Sequence, residues 1–247
     1  NGETVHCQEN KRFSVEGITG GFGMSQYMLI KAAQAFKMNP DIPYEEACYL
    51  EPLSTSIHGI KKLNVKPGDS LLVIGAGNLG LVNAQVARAF GCRTFVSEVD
   101  KARIEIARSL GFEVMNPLED DVVEFSKNFT NGYGVDHVVV AVGNNPATEQ
   151  AFKVVKFAGK VLLFAAGYPS PDLNLNVNQV HYGNWHIIGT GGSNVSDFQL
   201  ACKYLNDGTV KVDKMISYTI PLKDYEKAFT LAATPGNYRV SLELWED

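Results

Sequence analysis

The chain reads as an α/β protein built on a doubly wound, mostly parallel sheet, and three observations carry that expectation. Short apolar runs alternate with segments of helical periodicity from about residue 71 to residue 165. The runs, such as Leu71-Leu72-Val73-Ile74 and Val138-Val139-Val140-Ala141-Val142, are apolar almost throughout, as strands buried on both faces are. The first run is followed directly by Gly75-Ala76-Gly77-Asn78-Leu79-Gly80. Strands alternating with helices of this length imply right-handed βαβ units, with helices on both faces of the sheet.

The elements follow in order. Residues 1–45 are irregular and glycine-rich, with Gly17, Gly20, Gly21 and Gly23 close together. They lead into Tyr27-Met28-Leu29-Ile30, which reads as a strand. Pro40 and Pro43 precede a helix expected over 44–62, and Lys66-Pro67-Gly68-Asp69 is a turn. The alternation then runs strand 71–74, helix 79–90, strand 94–97, helix 101–110, strand 112–115, helix 119–129, strand 136–142, helix 147–157 and strand 160–165. Residues 185–189 read as a sixth strand. After Gly191-Gly192 the pattern changes to helix 196–206, strand 215–220, helix 222–232 and strand 238–244. The expected domains are therefore 1–45, a central 46–190, and 191–247 returning to the partner of the first segment.

The glycine motif gains weight from its setting: strand, glycines, helix, strand and acid in that order form a dinucleotide fingerprint. Gly75 permits the tight turn, Gly77 lets the backbone approach a pyrophosphate, and Gly80 lets the helix pack on the strand. Asn78 and Leu79 open the helix whose N-terminal N–H groups and partial positive charge would meet the phosphates. Glu98 stands 18 positions after Gly80, at the end of the second apolar run. It would accept from both ribose hydroxyls and repel a 2′-phosphate, which points to NAD rather than NADP. The residues after the later strands, Val142, Ala166 and Thr190, lie where open α/β sheets bind ligands.

Composition removes several function classes. A net charge of −5 without a basic run argues against nucleic acid as a partner. No apolar stretch approaches the roughly 18–20 residues that span a bilayer. Cys7, Cys48, Cys92 and Cys202 are too scattered for a disulfide framework, so a reducing, cytoplasmic setting is expected. A sheet edge at residues 185–195 would suit pairing of two copies, so a homo-oligomer, dimer or tetramer, is expected.

Taken together, these stretches resemble the zinc-dependent medium-chain alcohol and polyol dehydrogenases, in the sorbitol and threonine dehydrogenase branch. The likeness runs through Gly20-Gly21-Phe22-Gly23-Met24-Ser25-Gln26-Tyr27, Glu51-Pro52-Leu53-Ser54-Thr55-Ser56-Ile57-His58, and Lys66-Pro67-Gly68-Asp69 with the glycine motif. It continues through Val96-Ser97-Glu98-Val99-Asp100-Lys101-Ala102-Arg103 and from Ile220-Pro221-Leu222 to Tyr238-Arg239-Val240. The resemblance implies a Rossmann domain beside a remnant of a GroES-like, β-rich catalytic lobe. It also implies zinc and NAD as cofactors and a small alcohol, polyol or hydroxy amino acid as substrate.

By the same resemblance Glu51 belongs to the zinc shell, Thr55 touches the nicotinamide, Arg103 stacks on the adenine and Arg239 contacts the pyrophosphate. Cys7 matches the fourth ligand of a structural zinc lobe. Each has a plainer reading: a solvated helix carboxylate, a buried helix threonine, two surface arginines and a free thiol. The family's catalytic Cys and Gly-His-Glu motif have no counterpart here, so the chain reads as N-terminally truncated, binding NAD weakly and without turnover of its own. Two other classes share the fold: a nucleotide-binding module without catalysis, and a zinc-free quinone or enoyl reductase, which Glu98 disfavours because such enzymes prefer NADPH.

Overall fold

The structure is a computed structural model and describes residues 24–28, 30, 32 and 35–245. Its described residues divide into two compact units. One comprises Thr55–Gly191; the other joins the residues up to Ser54 with those from Gly192 onward.

In the Thr55–Gly191 unit, the strands are β1 (Ser70–Ile74), β2 (Arg93–Ser97), β3 (Glu113–Met115), β4 (Val135–Val140), β5 (Val155–Leu163) and β6 (His186–Gly189). They form one sheet in the order β3-β2-β1-β4-β5-β6, parallel at every pairing. The expected parallel α/β sheet is therefore present. Between them run α3 (Asn78–Ala89), α4 (Lys101–Ser109), α5 (Val122–Phe129), α6 (Asn145–Val154) and α7 (Val177–Gly183). Every residue of β1 is buried, which accounts for its unbroken apolar run. Phe95 of β2 anchors one face, its ring 4.3 Å from Phe129 and 5.8 Å from Phe125, both of α5. The strand order reverses between β1 and β4, and the crevice beyond the carboxyl ends of strands at such a point is where open α/β sheets bind ligands.

The second unit contains α1 (Tyr44–Ala47), α8 (Val195–Asn206), a parallel pair of β7 (Ile216–Pro221) and β8 (Arg239–Glu243), and α9 (Tyr225–Ala233). Tyr49 is fully buried there and donates its hydroxyl to the Met215 carbonyl at 2.7 Å. The division between the units falls within α2 (Leu50–Leu63).

Several boundaries differ from expectation, each for a local reason. The single helix expected over 44–62 is two, α1 and α2, interrupted at Cys48-Tyr49. Pro52 explains the break: it has no N–H to give to the Cys48 carbonyl, a loss that costs nothing in the first turn of a new helix. Helix α5 starts at Val122 rather than 119 because the Asp121 carboxylate caps it, accepting from Val123 and Glu124 N–H at 2.8 and 3.0 Å. Helix α6 ends at Val154, and the residues assigned to its last turn enter β5, where Ala158 takes a positive φ of 58°. Helix α7 was not expected at all; none of its residues is buried, so it has no apolar periodicity to read. The last helix opens with a 3-10 turn, Leu222–Asp224, before α9. Tyr27, Met28 and Ile30 are exposed and belong to no strand, because among the described residues no ladder partner lies beside them. The glycine-rich stretch at 17–23 lies outside the described residues.

A polar network closes the amino end of the sheet. His137 of β4 is 5% exposed and meets the Asp69 carboxylate through Nε2 at 2.8 Å. Asp136 accepts from Ser70 N–H at 2.8 Å and pairs with Lys156. Burial holds His137 below the ordinary histidine value, against the pull of Asp69 and Asp136 and with the repulsion of Lys160. The unfolded chain therefore binds the proton first on acidification, so stability present above about pH 6.5 is lost as the pH falls below it. Urea midpoints measured from pH 7.5 to 5.5 are expected to decline, and to decline less in His137→Leu. Equal slopes in the two proteins would remove His137 as the cause.

Candidate functional site

A cleft of about 750 Å³ opens at the carboxyl ends of β1, β2 and β4. Its floor begins where β1 ends. Gly75 turns the chain with φ +96°, a value that L side chains rarely adopt, and donates its N–H to Ser97 O at 2.7 Å. Gly77 then caps α3 without a side chain. Above Gly77, chain neighbours aside, the only atom of the described residues within 4 Å of a Cβ position is an Arg103 guanidinium nitrogen, at 3.8 Å. A helix N-terminus with open space above it and a guanidinium beside it suits an anionic group.

The opposite requirement holds at Gly80. A Cβ there would lie 1.9 Å from Gly75 O, so α3 rests directly on the turn. Asn78 and Leu79 form the first turn of α3, Asn78 half-buried and Leu79 exposed.

The wall of the cleft is Glu98, at the end of β2 and 6% exposed. Its Oε2 accepts from Ala76 N–H at 2.6 Å, and its Oε1 accepts from Val99 and Asp100 N–H at 2.7 and 2.9 Å. Arg103, in the first turn of α4, is oriented by the cap at Asp100, whose carboxylate accepts the Arg103 N–H at 2.9 Å. Val142, two residues beyond β4, completes this side. Gly75, Gly77, Glu98, Arg103 and Val142 thus line one cleft.

The other sequence candidates lie elsewhere. Ala166 lines a separate cavity of about 290 Å³ together with Val142, where the chain after β4 meets the chain after β5. The two loops approach so closely that a Cβ on Gly143 would sit 2.4 Å from Ala166 O. Thr190 follows β6 and keeps its Oγ1 buried, with no hydrogen-bond partner among the described residues. Glu51 is exposed in the first turn of α2, and Thr55, one turn on, is half-buried. Arg239 belongs to β8 of the other unit, its guanidinium 4.8 Å above the Tyr49 ring. Cys7 lies outside the described residues. Among the described residues no group of three or more His, Cys, Asp and Glu side chains is placed to hold a metal ion. Cys48, Cys92 and Cys202 are free thiols, and burial pushes the Cys92 thiol up to about 12.

Sequence reasoning passed over several residues of the cleft. Asp120, Asp121, Asn144 and Glu149 line it, as does Gln150, whose amide donates to the Ser97 hydroxyl at 2.8 Å. Asp121 and Asn144 did carry a signal. Both cap helices that start beyond the carboxyl ends of strands, and helix starts there face the crevice.

Known proteins align with this chain. A family model described as zinc-binding dehydrogenase matches residues 79–207, just over half the chain. A 2-dehydro-3-deoxy-L-galactonate 5-dehydrogenase from Pseudoalteromonas atlantica is 26% identical, over 91% of this chain and 65% of its own length. An (R,R)-butanediol dehydrogenase from Neisseria gonorrhoeae is 30% identical, over 90% of this chain and 62% of its own length. The chain thus spans about two thirds of these relatives. Among solved structures, a protein assigned as a zinc-binding dehydrogenase from Sinorhizobium meliloti 1021, bound to NADP, superposes with a TM-score of 0.81. At 22% identity, over 89% of this chain and 65% of that one, this match speaks to the fold alone.

Proposed function

The chain belongs to the zinc-binding dehydrogenase family, and from that premise we propose that it carries the cofactor-binding part of an NAD-dependent oxidoreductase. The substrate class we propose is a secondary alcohol: a polyol, a sugar alcohol or a hydroxy amino acid. The relatives' names, a butanediol dehydrogenase and a sugar-acid dehydrogenase, support that class. The single observation that carries the reading is the cleft itself: a glycine turn with open space above it, a helix N-terminus, and a buried carboxylate on the facing wall.

These residues fit a dinucleotide. The N-terminus of α3 and Arg103 would hold the phosphates by N–H donation and charge. Glu98 would take a ribose hydroxyl, and Val142 would pack beside the nucleotide. When bound, the nicotinamide ring supplies the hydride acceptor; the protein's part is to hold and orient it. Thr55, Ala166 and Thr190 are proposed to contact the nicotinamide end, and Arg239 the pyrophosphate. Zinc does not fit the described residues in the same way. Among the described residues, Glu51 has no second and third ligand gathered around it. No helix among the described residues is long and apolar enough to cross a membrane, and we propose a cytoplasmic protein. A homo-oligomer joined at β6, an edge of the sheet, completes the proposal.

Titration with NADH, followed by nicotinamide fluorescence, tests the cofactor reading. Saturable binding is expected, and Gly77→Val, which fills the space above α3, should weaken it at least tenfold. Fluorescence that fails to saturate at millimolar NADH would remove the proposal.

A further inference from the structure

Glu98 has a second part in this structure besides the ribose contact proposed above. Its carboxylate reaches across to the middle of the glycine motif and accepts the N–H of Ala76, the residue between Gly75 and Gly77, at 2.6 Å. The neighbouring N–H, of Gly75, goes to Ser97 O at 2.7 Å. Two consecutive N–H groups of the turn are thus held by two consecutive residues, the last of β2 and the one after it. With those two held, Gly77 follows as the N-cap of α3 and lines the cleft.

The other carboxylate oxygen is equally committed. Oε1 accepts from Val99 and Asp100 N–H, so the side chain is fixed at both ends. A carboxylate offers about four acceptor directions. Three are taken by the backbone, leaving capacity for one further donor. At 6% exposure, the carboxylate is met by these N–H groups rather than left to solvent.

We infer that Glu98 is a positioning residue for the glycine turn, holding Ala76 and so setting the shape of the phosphate site before any cofactor arrives. This rests on the cofactor reading above and deepens it. The acid that selects the ribose and the turn that receives the phosphates form one hydrogen-bonded unit, so changing the acid alters both. A substitution at position 98 meant only to relax cofactor choice would also loosen the phosphate site.

Amide hydrogen exchange on the full chain, without cofactor, separates the two roles. In Glu98→Ala the Ala76, Val99 and Asp100 amides are expected to exchange at least tenfold faster than in the parent protein. In Glu98→Gln, whose amide nitrogen cannot accept, either Ala76 or the Val99–Asp100 pair should speed up and the other remain protected. This milder variant answers the question should the alanine protein not fold. Ala76 exchange unchanged in Glu98→Ala, or all three amides unchanged in Glu98→Gln, would overturn the inference. NADH titration of the same proteins reports on the ribose separately. Lost affinity with unchanged exchange leaves the cofactor reading standing and this inference refuted; no NADH binding by the parent protein, with faster Ala76 exchange in Glu98→Ala, does the reverse.

Discussion

Replacing Gly80 with alanine is expected to destabilise the protein by about 3 kcal/mol or more and to abolish measurable NADH binding. The added methyl would lie 1.9 Å from Gly75 O and 2.9 Å from Gly75 C. Both are backbone atoms of the turn itself, so no side chain can rotate away. Either α3 lifts from the end of β1 or Gly75 leaves its φ of +96°. Inserting a methylene into a packed core costs about 1–3 kcal/mol when side chains can shift, and a backbone-to-backbone clash sits at or beyond the top of that range. The second effect follows from the first, because the same turn presents the N-terminus of α3. Urea unfolding and NADH titration measure the two effects. Gly189→Ala is the control, since a Cβ there meets nothing within 4 Å and should change stability by less than about 0.5 kcal/mol. A Gly80→Ala protein as stable as that control would show that α3 does not rest on the turn.

The same contact explains why this part of the chain was legible. A fully buried strand writes itself as an unbroken apolar run, and three glycines at fixed spacing record three separate steric demands. Conversely, what was hard to read was carried by polar side chains acting locally. Pro52 splits a helix through one missing N–H, and Asp121 moves a helix start by three residues through two hydrogen bonds. Neither changes hydrophobic periodicity. Helix α7 buries nothing and so leaves no periodic trace. The Glu98 network shows the limit most clearly. An acid at the end of the second strand is visible in the sequence. That its two oxygens already serve Ala76, Val99 and Asp100 depends on side-chain direction, which spacing does not encode. Arg239 illustrates another kind of limit: the resemblance supplies a role for it, while its own surroundings are the Tyr49 ring.

NADH is expected to bind about a hundredfold more tightly than NADPH. The 2′-phosphate of NADPH is a phosphomonoester, adding a charge of roughly −1.5 to −2 at neutral pH. It would enter beside Glu98, in a cleft whose other acidic residues are Asp120, Asp121 and Glu149. Two like unit charges about 4 Å apart cost about 4 kcal/mol at an effective dielectric near 20. Arg103 and Lys153 also line the cleft and offset part of this repulsion. A residual near 2.7 kcal/mol corresponds to the hundredfold ratio. The hydrogen-bond count points the same way. Glu98 has room for one more donor, which a ribose hydroxyl supplies and a 2′-phosphate, an acceptor, does not. Removing the carboxylate in Glu98→Ala is therefore expected to narrow the ratio below about tenfold. The narrowing should come from weaker NADH binding rather than from stronger NADPH binding, because the turn that receives the phosphates loses its anchor at Ala76. Parallel fluorescence titrations of both cofactors in one buffer measure the ratio. Equal affinities in the parent protein would mean that Glu98 does not face the 2′ position, and tighter NADPH binding would reverse the assignment of the cofactor.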